Sequence, residues 1–238
     1  MRLIAKGSGW FEWVLLFLAA LGLAGGLLAS RLTDPLDALL HDAIVRATPK
    51  TPDPRILIVA IDDASIRELG RWPWNREVHS RMIDRLAQTG PPAVGYDVLF
   101  VDPGPGDEAL KASVARFGYD GLVFPLLIAA PGDNGAPYRV TEPVIGRVMA
   151  GHVMVRPDAD GIFRRLSLVE GKAPTITTHM ALTIAGLAEG IIPQSGTLIP
   201  FSGGPGRYPT VLFGSVLRGE VPPELMRERI ILVGANAI

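Results

Sequence analysis

Cysteine is absent from this 238-residue chain, which removes disulfides, thiolate nucleophiles and sulfur-ligated metal sites from consideration together. The absence assigns no compartment, because a chain of this size closes a hydrophobic core without covalent staples. A charge excess of either sign is also lacking: 23 Lys and Arg stand against 24 Asp and Glu, and the basic residues are scattered. Such a chain has no field to gather nucleic acid, so nucleic acid is not expected as a partner. Internal repeats and low-complexity tracts are missing too. The Gly203-Gly-Pro-Gly-Arg207 segment is too short for a phosphate loop and lacks its Gly-Lys-Ser/Thr ending, so it reads as a turn.

Apolar sequence, by contrast, is abundant, at 48% of the residues. From Trp10 to Ser30 the chain reads WFEWVLLFLAALGLAGGLLAS, with Glu12 its only charge. About twenty such residues cross a hydrocarbon core ~30 Å thick as a helix, and Trp10 and Trp13 suit an interfacial aromatic belt. A cleaved secretory leader is the rival reading. The length of the run disfavours it, as do Leu27 and Leu28 where a cleavage site needs small residues. Arg2 and Lys6 precede the run, while Arg31 is soon followed by Asp34 and Asp37, so the positive side is expected to stay in the cytoplasm. The expected organisation is a cytoplasmic tail over 1–9, a transmembrane helix over 10–30, a stalk and Pro-rich linker over 31–54, and an extracytoplasmic domain over 55–238.

Periodicity organises the remainder. Leu36 to Val45 has helical spacing, and three prolines within Thr48–Pro54 then break the chain. Arg55–Ile61 is a continuous β-branched run, the pattern of a strand covered on both faces. Asp62 to Ser65 offers helix caps, with Glu68 three residues beyond Ser65. Helices are expected over 76–88 and 107–117, and strands over 93–100 and 121–128. This alternation of strand and helix signals an α/β fold with a largely parallel sheet. Farther on, 147–155 and 162–169 flank the Pro157-Asp-Ala-Asp-Gly161 turn and predict an antiparallel β-hairpin. A helix over 177–189, a strand over 197–201, a short helix over 212–218 and a last strand over 229–233 follow. The expected fold class is therefore a three-layer-like mixed α/β sheet, parallel in its first half with a hairpin in its second, preceded by one transmembrane helix.

Several sequence words occur in one order: Ile58-Val-Ala-Ile-Asp-Asp63, Ser65, Leu69-Gly-Arg-Trp-Pro-Trp-Asn-Arg76 and Gly95-Tyr-Asp-Val-Leu-Phe100 come first. His152-Val-Met-Val-Arg156, Asp158, Asp160-Gly-Ile-Phe-Arg-Arg165, Leu198 to Gly203 and Ile230-Ile-Leu-Val-Gly-Ala235 follow. Together they resemble the blocks of the second type of CHASE domain, the cyclase- and histidine-kinase-associated extracellular sensing module, from Leu32 to the end. The resemblance implies a bacterial inner-membrane receptor with an N-terminal anchor and a periplasmic or extracellular sensor. Further spans would lead to a nucleotide cyclase, diguanylate cyclase or histidine kinase. Such chains usually continue past the position of Ile238, so a fragment, or a signalling partner encoded separately, is expected.

Six residues are candidates for ligand binding. Asp62, Asp63 and Asp97 follow or lie in strands and could converge on Mg²⁺ or a cationic ligand at the edge where open α/β sheets bind. The preferred alternative makes Asp62 a cap and buries Asp97 against Arg76 or the Trp72–Trp74 turn. Trp72, Trp74 and Arg76 could form an aromatic wall with a clamp for a carboxylate or phosphate, or, as preferred, pack on the sheet. Ser65, Gly70, Pro73, Phe100, Asp160, Gly161, Arg164 and Gly234 belong to the family signature and are expected to be structural. Asp158 to Gly161 lacks the later acidic positions of a calcium loop and reads as a turn. His41, His79, His152 and His179 have no metal-ligand spacing. Ser65 lacks a nucleophile elbow, and no catalytic residue, metal or cofactor is expected. The leading expectation is a non-enzymatic sensor that binds an unknown small molecule or protein, anchored in the membrane as a homodimer. An exported metal-dependent hydrolase using Asp62, Asp63 and Asp97, and a structural assembly domain, are the alternatives.

Overall fold

The computed structural model describes residues 9–30, 34–129, 139–171, 176–189 and 197–236. The chain divides into two units, Met1–Lys50 and Thr51–Ile238. In the first, α1 (Gly9–Ser30) contains the apolar run and α2 (Asp34–Ala47) the stalk sequence. α2 has Asp34 and Asp37 in its first turn and Arg46 in its last, the charge order that the helix dipole favours. All described α1 side chains, Trp10 to Gly26, are exposed. Among the described residues no helix is long and apolar enough to cross a membrane. Arg2, Lys6 and Arg31, which set the expected orientation, lie outside the described residues.

The second unit runs β1 (Ile56–Ile61), α3 (Asp63–Leu69), α4 (Arg76–Thr89), β2 (Ala93–Tyr96), α5 (Asp107–Phe117), β3 (Leu122–Ala129), β4 (Arg139–Thr141) and β5 (Met149–His152). It continues with β6 (Arg165–Leu166), β7 (Val169–Glu170), β8 (Thr177–Thr178), α6 (Met180–Glu189), β9 (Thr197–Leu198), β10 (Thr210–Leu212), α7 (Phe213–Arg218), α8 (Glu224–Arg227) and β11 (Ile230–Ala235). The main sheet has the order β10-β1-β11-β2-β3-β4, with β5 also on β3. Every pairing in it is parallel except β3 with β4. The last strand thus enters the middle of the sheet, where its apolar sequence is covered on both sides.

Alternation along the strands separates two faces. Leu57, Val59, Ile61, Val94, Tyr96, Leu122, Phe124, Ile231 and Val233 pack with Met82, Ile83 and Leu86 of α4, Leu110 and Val114 of α5, and Phe213 and Val216 of α7. On the other face Ala93 and Val123 meet Met180 and Ile184 of α6, with Met149, Ile230 and Leu232 beside them. The result is a helix–sheet–helix arrangement of three layers. Among the described residues the first face holds 22 buried core residues and the second four. At about 1.5–3 kcal/mol per buried large apolar side chain, the first face supplies most of the stability, and the second is where space remains.

α4 shows how locally these helices are specified. Its N-cap Asn75 accepts from the Glu77 N–H at 3.0 Å, His79, Met82, Ile83 and Leu86 turn inward, and Gly90 closes it in the left-handed region at φ 65°. Three strand expectations need correction. β2 stops at Tyr96 rather than Phe100, because the Val98 N–H turns back to the Tyr96 carbonyl at 2.8 Å and leaves the ladder. The strand expected over 197–201 covers Thr197–Leu198 only. The predicted hairpin does not form: β5 runs parallel to β3, and β6 pairs antiparallel with β9. Its turn does form, with Gly161 at φ 81° and the Asp158 N–H donating to the Ile162 carbonyl at 2.9 Å. Buried Arg164 closes that turn by ion pairs to Asp158 at 3.0 Å and Asp160 at 2.7 Å. A turn fastened by side chains leaves its arms free to pair elsewhere.

Candidate functional site

The parallel strands deliver the first candidates at their carboxyl ends. Asp62, after β1, caps α3 with extended backbone: its Oδ1 accepts from the Ser65 N–H at 3.0 Å and the Ser65 hydroxyl at 2.5 Å. Burial raises the Asp62 pKa, but the bonds from Ser65 and nearby backbone N–H groups outweigh it and hold the carboxyl below its usual value. The Ser65 Oγ accepts in turn from the Gly214 N–H at 3.1 Å, which ties α3 to the start of α7. Asp63 stands exposed on the first turn of α3. β11 separates β1 from β2, so the backbones at Asp62 and Asp97 are two strand spacings, about 10 Å, apart. Among the described residues Asp, Glu and His form no group of three able to hold a metal ion.

The Trp72–Arg76 turn faces the first side of the sheet. Trp72–Pro73 is a cis peptide, and Gly70, at φ 96°, closes α3 ahead of it. Buried Trp74 donates from Nε1 to the Gly70 carbonyl at 2.8 Å and lies 4.9 Å from the Phe213 ring, with Trp72 edge-on at 5.1 Å. Arg76 pairs with Asp107 at 3.3 Å, donates to the Asp102 carbonyl at 3.1 Å and lies over Phe100 at 4.8 Å. Arg76 is therefore engaged at the start of α5 and not with Asp97.

The second face carries a cavity of about 640 Å³. Its floor is Ile56, Ile58, Ile230 and Leu232, one wall is α6 through Met180, Ala181, Ile184 and Ala185, and the opposite wall is the turn from Gly204 to Tyr208. Beyond the strand ends it reaches Asp97, Gly234 and Asn236. Of the six candidate residues, Asp97 alone lines it, and of the family-signature residues, Gly234. Asp97 makes no side-chain hydrogen bond or ion pair among the described residues. Asp97 is exposed to solvent, and the partial desolvation imposed by the protein around it raises its pKa. The site therefore holds an unpaired carboxyl at one end of an aliphatic chamber.

A second cluster was not legible in the sequence. An isolated bridge joins His152, at the end of β5, to His179, and the two rings meet edge-to-face at 5.0 Å. Nδ1 of His152 accepts from the Met154 N–H at 3.3 Å, and Nδ1 of His179 from the Ala181 N–H at 3.1 Å. Each neutral ring therefore carries its proton on Nε2. Both Nε2 atoms are buried without a partner among the described residues, as is Oε1 of Glu170, whose Oε2 takes Arg156 at 2.9 Å. Burial, then repulsion from His152, lowers the His179 pKa to about 4. Burial also lowers that of His152, against the opposing pull of Glu170.

The cavity had a faint sequence signal. Gly95 and Gly234 are glycines inside strands, which mark close approach of another group. A Cβ at Gly95 would lie 2.4 Å from Ile184 Cδ1, so the glycine admits α6 onto the sheet. The aliphatic walls gave none, because they come from distant segments and read as ordinary core.

No curated protein and no solved structure matches the chain. The family model described as the CHASE2 domain matches residues 14–238. With that match over nearly the whole chain, the protein belongs to the CHASE2 domain family of extracellular, non-catalytic sensory domains of signalling receptors.

Proposed function

We propose that this chain is the ligand-binding sensor of a membrane-bound bacterial receptor, anchored by α1, with its N-terminus in the cytoplasm and residues 55–238 outside. One observation carries the reading: an aliphatic cavity of about 640 Å³ on the thinly covered face of the sheet, in a member of a sensory family. Small-molecule pockets span about 300–1,000 Å³, mostly apolar with a few polar groups that set orientation. The floor is backed by the large core of the first face, whereas α6 is held through Met180 and Ile184 on just two buried sheet residues of its cluster, Ala93 and Val123. A ligand that touches floor and walls favours the arrangement in which both contacts are made. A differential affinity of about 1–3 kcal/mol is enough for a signal. The exposed apolar side chains of α1 support the anchor. Pairing of two copies would turn a small shift into displacement of the membrane helices, and a cyclase, diguanylate cyclase or kinase outside residues 1–238 would read it.

The test is to fill the cavity. The full chain in lipid nanodiscs should bind tryptophol, an apolar indole with a small neutral polar end, saturably and one-to-one once the signal of empty nanodiscs is subtracted. Ala185→Trp, which places an indole in the wall, should abolish that binding with the melting temperature retained. Undiminished binding by Ala185→Trp would reject the cavity as the site.

A further inference from the structure

We infer that the buried His152–His179 pair makes the cavity wall responsive to protons: acid that charges a ring releases the start of α6, and the sensor loses its grip on a ligand. This deepens the sensor reading by giving it a second input, and its ligand arm rests on that reading. The device lies in the hydrogen bonds. His179 lines the cavity and directly precedes α6, where its Nδ1 accepts from the Ala181 N–H at 3.1 Å as a capping side chain does. His152 Nδ1 accepts likewise from the Met154 N–H at 3.3 Å. Each neutral ring carries its proton on Nε2, so a further proton has only Nδ1 to go to. There it turns the acceptor into a donor aimed at an N–H, and the cap is lost. On His179 the charge would also stand at the positive end of a helix dipole, against a second imidazole only 5.0 Å away.

The surroundings oppose a charged ring. β3 brings Leu126 beside His152 and carries no charged residue. The Leu168 carbonyl accepts from the His179 N–H at 2.8 Å, β8 adds only the hydroxyls of Thr177 and Thr178, and the first turn of α6 is uncharged. The charged neighbours are Glu170 of β7 and Arg156 after β5, which pair at 2.9 Å. Asp97 and Arg207 stand on the cavity side, both exposed. Burial outweighs the pull of Glu170 on His152, and His179 is held at about 4 by burial and then by His152. An imidazole freed from its cap returns toward its ordinary value near 6.5. The open form therefore takes up protons that the closed form refuses as pH falls from about 6.5 to about 4. For one imidazole the opening equilibrium rises about twentyfold between pH 7 and pH 5. Glu170 Oε1, buried and without a partner among the described residues, is an acceptor for the released imidazolium. Since α6 meets only Ala93 and Val123 among the buried sheet residues of its cluster, it is the wall that yields.

Hydrogen exchange on the full chain in lipid nanodiscs at pH 7 and pH 5, corrected for the intrinsic rate of each amide, reads the opening directly. Met180–Ala185 is expected to open about twentyfold more at pH 5, with α5 on the other face unchanged. His179→Asn and His179→Ser keep a capping oxygen and cannot be charged. In both variants Met180–Ala185 should open equally at the two pH values, and α5 protection at pH 7 certifies that they fold. Tryptophol has no ionisable group in this range, so its titration follows the consequence for the site. Its affinity should fall between pH 7 and pH 5 in the unaltered chain, by up to about twentyfold, and stay level in the variants. Equal opening of α6 at both pH values, a rise shared by α5, or a rise that survives both His179 variants overturns the inference. Opening without loss of tryptophol affinity overturns the coupling to the cavity. Absence of tryptophol binding at pH 7 rejects the cavity as the ligand site and the coupling with it, while exchange still decides the opening.

Discussion

Ser65 shows how much a single hydroxyl can hold in this fold. It donates to Asp62 at 2.5 Å and accepts from the Gly214 N–H at 3.1 Å, buried between two helix starts. Ser65→Ala leaves a backbone N–H unpaired, and the expected loss is about 1–3 kcal/mol in urea denaturation; an unchanged midpoint would refute that role. Histidines give the pH dependence. His79 lies buried against Tyr96 Oη at 2.9 Å, and its pKa is pushed down to about 4 by burial and then by Arg76, while that of His179 also falls to about 4. Below about pH 6.5 the unfolded chain takes up protons that the folded chain refuses. Stability is therefore expected to fall as pH drops from about 6.5 to about 4. His179→Asn, which keeps a helix cap, should make that slope shallower; an equal slope would contradict the assignment. The role of Asp62 was legible because a cap is local. The His152–His179 pair was not, since separate strands bring the two together.

At the scale of elements, α4 and α5 lie where periodicity and glycine stops place them, within about a residue, because their signals sit in their own sequence. Strands were harder to read. Their partners lie far along the chain, so the 149–152 segment carried nothing to say that it would pair with β3 and not with the chain beyond Gly161. Its own clue is Gly151: a Cβ there would come 2.6 Å from the backbone N and Cα of Met180, so only glycine lets β5 slide beneath the start of α6. Gly161 meets nothing within 4 Å and has only its φ of 81° to defend. Gly151→Ala should therefore destabilise by about 1–3 kcal/mol through overpacking against backbone, and Gly161→Ala by about 1 kcal/mol. Thermal unfolding of the two variants decides it, and a Gly151→Ala no worse than Gly161→Ala would show that α6 can shift to make room.

For the molecule as a whole, the parallel α/β character was legible, and the sheet combines parallel and antiparallel pairing as expected. The cavity was not, because its walls come from β1, β11, α6 and the turn before β10, which no local pattern connects. Of the proposed ligand residues it draws in Asp97, while Trp74 and Arg76 serve the first face. The absence of cysteine makes the topology directly measurable. A full chain carrying Asp120→Cys, in the exposed turn before β3, should react with a membrane-impermeant maleimide on intact spheroplasts. Reaction only after lysis would reverse the proposed orientation. The central claim, that this face of the sheet is where the sensor takes its ligand, is tested most directly by hydrogen exchange on the full chain in lipid nanodiscs, with and without saturating tryptophol. The account predicts slowed exchange in β11, in Met180–Ala185 and in the turn from Gly203 to Tyr208. Slowing centred on Trp72–Arg76, or none while tryptophol is bound, would contradict it.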